Sequence, residues 1–231
     1  MDSMLELAIK EKQNLTEDEA YKLLSKYGIP VPKYSVASSV EEAIKIATRL
    51  GFPLVMKIVS PDIMHKTDIG GIKMNIVNPP QVRESYKNII CNVRKNKPEA
   101  RINGVLLYKQ APKGVEVIVG MIKDPQFGPT VMFGLGGIFI EILKDVAFRV
   151  CPVDRTDIEE MLTEIEGIKM LQGYRGQPRC DVNAIIGIIL EISRLALVYP
   201  VIKEIDLNPI IVYEKGAIVV DAKMFLNWIK N

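Results

Sequence analysis

Apolar and polar positions follow two periods along this chain, and each change of period marks an element. Leu5, Leu7 and Ile9, set among charges, predict a short helix ending near Asn14 that needs another surface to hold it. Thr16 and Glu19 have capping-box spacing, with Leu15 placed as a hydrophobic staple. Ala20, Leu23, Leu24 and Tyr27 share one face and Gly28 stands at the C-terminal cap, which predicts a second helix. After a short strand over 34–36, Ser39 and Glu42 repeat the box, Ala43, Ile46, Ala47 and Leu50 form the stripe, and Gly51 closes the helix. Residues 54–59 are apolar on both faces except for Lys57 and read as a central strand; residues 72–77 alternate as its neighbour. A helix over 80–96 and strands over 102–109, 115–122 and 131–133 follow, with an extended stretch at 138–143. A capped helix over 156–164, a loop at 173–178 carrying Tyr174 and Arg175, and a long helix capped by Asp181 through Ile185, Ile189, Ile192 and Leu195 lead to a closing hairpin. The order is α/β, and the linker at 110–114 divides it into two lobes, a common place for a ligand.

Composition narrows the class. At 231 residues the chain can bury a substantial core without a staple. A formal net charge of +2 gives no general reason to bind nucleic acid or an anionic membrane, so none is expected. Cys91, Cys151 and Cys180 are widely spaced, which indicates neither a disulfide framework nor a zinc site and fits reduced cytoplasmic thiols. The N-terminus lacks a signal pattern and the longest apolar run, near 184–190, is too short to span a bilayer.

Candidate chemistry concentrates in two places. Between the strands at 54–59 and 72–77, Gly70 and Gly71 permit the backbone geometry that turns successive N–H groups toward one anion, and Lys57, Lys66 and Lys73 can surround it with charge. A Gly-Gly pair can equally do no more than close a hairpin. Lys57, in a buried strand, needs a phosphate or carboxylate partner. His65, the only histidine, lies in the same loop, with Asp68 placed to orient it. At the other end of the chain, Glu204, Asp206 and Asn208 alternate with apolar residues and so share a strand face; if the turn at 213–216 makes the next strand an antiparallel neighbour, Asp206, Asn208 and Asp221 converge. Such oxygen ligands suit Mg2+, which keeps waters or substrate phosphates, although an edge hairpin with one wet face would carry the same residues. Gly134, Gly136 and Gly137 form a second glycine loop without dinucleotide-binding spacing. Glu141, Lys144, Asp145 and Arg149 beyond it fit either a solvated hairpin face or a phosphate-facing one.

A phosphate-gripping loop in one lobe and a carboxylate–amide pair in the other describe a nucleotide held between two lobes, and the chain resembles the ATP-grasp fold. In particular it is similar to the β subunits of ADP-forming acetyl-CoA synthetases, related to succinyl-CoA ligase. The similarity rests on the helix from Leu15, Gly28-Ile29-Pro30-Val31-Pro32, the segment from Lys57 through His65-Lys66-Thr67-Asp68 to Gly70-Gly71, Gly134-Leu135-Gly136-Gly137, Asp206-Leu207-Asn208-Pro209 and Val220-Asp221-Ala222. It implies N-terminal helices at 1–28 packing on the second lobe, a first lobe at 29–109 and a second at 110–231. It also implies a reaction in which acyl-CoA, ADP and phosphate give acid, CoA and ATP through a phosphohistidine relay. By the same resemblance Lys57, Gly70, Gly71 and Lys73 would hold nucleotide phosphates, Gln110 would contact adenine and Glu116 the ribose or metal. Asn208, Asp221 and Asp206 would hold Mg2+, and His65, absent from the succinyl-CoA ligase loop, would accept or position the phosphoryl group. The expected partner is a CoA-binding α subunit in an α2β2-type hetero-oligomer, since this length leaves no room for a CoA-binding domain. Two other readings keep the fold: a carboxylate–amine ligase, and a non-catalytic module of a protein acetyltransferase.

Overall fold

The structure, a computed structural model, describes residues 2–137, 145–173 and 178–227; the expected extended stretch at 138–143, with Glu141, and Lys144, Tyr174 and Arg175 lie outside them. The chain forms two compact units. One comprises Leu15–Asp18 and Pro32–Pro112, the other Met1–Asn14, Glu19–Val31 and Lys113–Asn231. Helix α1 (Ser3–Glu11) belongs to the larger unit, whereas Glu17 and Asp18, which begin helix α2 (Glu17–Lys26), belong to the smaller.

The smaller unit is a four-stranded antiparallel sheet, ordered β1 (Tyr34–Ala37), β4 (Gly104–Lys109), β2 (Leu54–Val59), β3 (Ile72–Ile76). Helices α3 (Val40–Leu50) and α4 (Pro79–Asn96) supply Ala43, Ile46, Ala47, Val82, Ile89 and Val93 to the core that Leu54, Met56, Ile58, Val105 and Leu107 form on the sheet. The other face of β2 is closed as well, because every residue of the strand is buried. Ser39 caps α3 by accepting from the Glu42 N–H at 3.2 Å. The returning half of the box is displaced by one residue, since Glu42 accepts from the N–H and hydroxyl of Ser38. Asn78 caps α4, whose first turn contains prolines that have no N–H to satisfy.

The larger unit carries a six-stranded antiparallel sheet in the order β10 (Ala222–Leu226), β8 (Ile202–Val212), β5 (Val115–Asp124), β6 (Gly128–Leu135), β7 (Val146–Val150), with β9 (Ala217–Val219) also on β8. Helix α6 (Val182–Val198) packs on β5 and β6, and α5 (Arg155–Thr163) on β7 and α6. Asp181 has two tasks: one oxygen accepts from the Ala184 N–H at the start of α6, the other from the Gly216 N–H in the β8–β9 turn. Asp145 and Arg149 also have structural partners. Asp145 accepts from the N–H groups of Glu166 and Gly167, opening a short 3-10 helix (Glu166–Met170), and Arg149 forks onto Glu164. Among the described residues no helix is long and apolar enough to cross a membrane.

Candidate functional site

In the smaller unit the ammonium of Lys57 donates to Glu17 Oε1 at 2.7 Å and lies 5.5 Å from the centre of the Tyr108 ring. Lys66 Nζ stands 3.1 Å from the other oxygen of the same carboxylate. The side chains of Glu17, Lys57 and Lys66 are 0%, 5% and 7% exposed, so this is a buried ionic cluster. Burial decides its meaning: charges out of water persist only when paired, and removing one partner is far costlier than the pair's net contribution. Lys57 therefore has the partner its strand position demands, and that partner is a carboxylate. Sequence reasoning missed Glu17 because it read the residue only as part of a capped helix. A carboxylate is nonetheless what a buried lysine calls for, and the acidic start of α2 offered one.

The segment between β2 and β3 is fastened from beneath. Ile63 is buried in the core and Ile69 packs against it, while Lys66 points into the ionic cluster and His65 is exposed. The glycine pair departs from the expected anion cradle. The Gly70 N–H donates to Thr67 O at 3.0 Å and the Gly71 N–H to Lys66 O at 2.7 Å, so both close the loop on itself. Close approach explains the second glycine, since a Cβ on Gly71 would sit 2.8 Å from Ile58 Cγ2. Lys73 departs too. Lys57 is opposite Ile72 and Met56 opposite Lys73, which puts the Lys73 side chain on the other face of the sheet from Lys57, at an exposed position. Gln110 has both ends of its amide bonded to Asn75, donating at 2.9 Å and accepting at 2.8 Å.

In the larger unit, Glu116 is exposed on β5 and backs the second glycine run. Gly136 N donates to Glu116 O at 2.8 Å, and a Cβ on Gly136 would lie 2.9 Å from Glu116 Cβ. Only glycine fits there without a shift. On β8 and β10, Asp206 is opposite Lys223 and Leu207 opposite Ala222; Asn208 on β8 and Asp221, which precedes β10, are the next residues beyond this pairing. The antiparallel pairing of β8 with β10, which the expected convergence of Asp206, Asn208 and Asp221 requires, is present. Lys223, opposite Asp206, donates to Asp206 Oδ2 at 2.8 Å and lies 3.9 Å from Asp221 Oδ2. Sequence reasoning passed over this lysine, although a period of two from Asp221 reaches it. Among the described residues no group of three His, Cys, Asp or Glu is placed to hold a metal ion. The oxygen donors in this region are the Asn208 amide on β8, the Asp221 carboxylate just before β10, and the Asp206 carboxylate bonded to Lys223.

A family model described as an ATP-grasp domain matches residues 7–226. The β subunit of acetate–CoA ligase [ADP-forming] I from Pyrococcus furiosus is 52% identical over 223 residues, which covers 96% of each chain. Among solved structures, acetyl-coenzyme A synthetase 1 of Ca. Korarchaeum cryptofilum in complex with coenzyme A, Ca-AMPCP and HgCl+ superposes with a TM-score of 0.92 at 47% identity, covering 96% of this chain and 98% of that one. The same enzyme with coenzyme A and Mg-AMPPCP, its phosphohistidine segment pointing towards the nucleotide binding site, gives a TM-score of 0.84 at 42% identity over 97% of this chain and 99% of that one.

Proposed function

The chain belongs to the ATP-grasp family, alongside the β subunits of ADP-forming acetate–CoA ligases, and on that premise we propose that it is the nucleotide-binding subunit of a cytoplasmic ADP-forming acyl-CoA ligase. In this role it passes a phosphoryl group between a phosphohistidine relay and ADP, so that acyl-CoA, ADP and phosphate give acid, CoA and ATP. A CoA-binding α subunit, in an α2β2-type assembly, supplies the acyl half. The observation that carries the reading is the placement of His65, exposed on a loop whose next residue, Lys66, is buried with Lys57 on one carboxylate.

Each residue then has a task. His65 takes the phosphoryl group: the bond from phosphorus to the donor nitrogen breaks as one to His65 forms, and the second transfer places phosphorus on the terminal oxygen of ADP. Such transfers pass through loose transition states, so positioning and charge neutralisation matter more than basicity. Lys57 and Lys66 share the one carboxylate of Glu17, so the cluster keeps a net positive charge in a dry environment, where it acts more strongly than in water. Asn208 and Asp221 would hold Mg2+, for which an amide and a carboxylate suffice when phosphates and waters complete the shell. When bound, the ion neutralises the phosphate oxygens. Asp206 serves this face by keeping the Lys223 ammonium occupied. Glu116 contacts the ribose or the metal, and Lys73, exposed on the other face of the sheet from Lys57, reaches the nucleotide phosphates from there.

His65→Ala tests the proposal. With the partner subunit present, the variant should lose transfer to ADP while keeping ADP affinity and assembly. Wild-type chain incubated with Mg2+ and γ-labelled ATP should take up acid-labile, base-stable label that the variant lacks. Turnover by the variant at near the wild-type rate would overturn the reading.

A further inference from the structure

We infer that Arg101, acting through Asp62, and Glu17, acting through Lys66, are positioning residues that fix His65 in the smaller unit; the inference rests on the phosphoryl-transfer reading of that histidine. The loop leaves β2 at Ser60, whose hydroxyl oxygen accepts from the Asp62 N–H at 3.1 Å. Asp62 then receives three bonds from one residue: the Arg101 N–H at 2.8 Å, Nε at 3.1 Å and Nη2 at 2.9 Å. Arg101 precedes β4, so this fork ties the start of the loop to the frame of the sheet. The guanidinium beside it also holds the Asp62 carboxyl below the usual carboxylate range. One residue on, Ile63 enters the core.

The far side is tied as firmly. Lys66 is buried against Glu17, its carbonyl accepts from the Gly71 N–H, and Gly70 O accepts from the Asn92 amide at 3.2 Å. Only Met64 and His65 lie between buried Ile63 and buried Lys66. Two residues between fixed points leave the backbone little room, and what remains for the imidazole is rotation about its own side-chain torsions. A histidine that meets phosphorus from two directions gains from such a fixed seat, because misplacement by an ångström can cost a rate about 100-fold. Neither Arg101 nor Glu17 need touch the phosphoryl group for this, and Asp62 is spent on the arginine.

The test uses the chain assembled with its partner subunit and reads kcat, KM for ADP and label uptake by His65 from γ-labelled ATP. Arg101→Ala and Asp62→Ala remove a fork whose side chains are 55% and 35% exposed, so the thermal midpoint should hardly move. We expect kcat and the rate of label uptake to fall roughly 10- to 100-fold, with KM for ADP within about two-fold of wild type. Arg101→Lys should recover part of the loss, and amide exchange in 62–71 should quicken in Arg101→Ala. Glu17→Gln should act in the same direction; if it fails to fold, the Arg101 and Asp62 variants still decide. Near wild-type kcat in both alanine variants, beside an inactive His65→Ala, would overturn this inference and leave the proposed function standing. Loss of rate together with a large fall in thermal midpoint would overturn it as well, because the fork would then hold the fold and not the histidine. An active His65→Ala would remove the proposed function and this inference with it.

Discussion

Asp206 and Asp221 both lie near the Lys223 ammonium but at different distances from it. The Lys223 ammonium is bonded to Asp206 at 2.8 Å and lies 3.9 Å from Asp221, so of the two carboxylates Asp206 is the one tied directly to this lysine. Asp221→Asn and Asn208→Ala should therefore weaken Mg–ADP binding by about 10-fold or more, as expected for loss of a charged or polar ligand contact. Asp206→Asn should weaken it less directly, by releasing Lys223 toward the site. Calorimetric titration with ADP at fixed Mg2+, beside thermal melts, separates this from a wet strand edge. A fall in melting temperature with unchanged nucleotide affinity would assign the group to the edge. At this scale the sequence was informative where one period sufficed: alternation alone put Asp206 and Asn208 on one face of β8, while Asp221 needed the further condition of an antiparallel neighbour. It failed where partners come from far away in the chain, as with Glu17, which lies 40 residues from Lys57.

Elements were legible wherever a helix or strand carries its own start and stop. Ser39, Asn78 and Asp181 each cap the helix that follows them, and Gly28 and Gly51 both adopt positive φ at the ends of helices. Loops were less legible because their backbone groups choose among many partners. Gly70 and Gly71 have the flexibility an anion cradle needs, yet their N–H groups bond to Thr67 and Lys66 inside the loop. Nor could composition reveal that Asp181 does more than cap. Its second oxygen joins the α6 start to the β8–β9 turn, so Asp181→Ala should cost more than an ordinary cap, which is worth about 0.5–2 kcal/mol. Asp181→Ser, which restores the cap but not the reach to Gly216, should recover only part of that loss in denaturant melts. Full recovery by serine would mean that the bond to the turn contributes nothing.

For the molecule as a whole, local pattern gave α/β order and two groups of chemistry, while the family came from many motifs spread along the chain and not from any one of them. The same breadth bears on the division of labour. The ATP-grasp match takes in residues 7–226, and the groups proposed here for phosphate, nucleotide and metal fall in both units. On the proposed assignment every residue with a task serves phosphoryl transfer, and the thioester chemistry would fall to a partner subunit. The purified chain should therefore bind ADP with Mg2+, and chelation of the metal should weaken that binding, yet it should form no ATP from acetyl-CoA, ADP and phosphate. Adding a CoA-binding partner subunit should start turnover, with a rate that saturates as the partner approaches equimolar amounts. A coupled assay for ATP against partner concentration checks this. Full turnover by the chain alone would place an acyl-CoA site within it and end the two-subunit account.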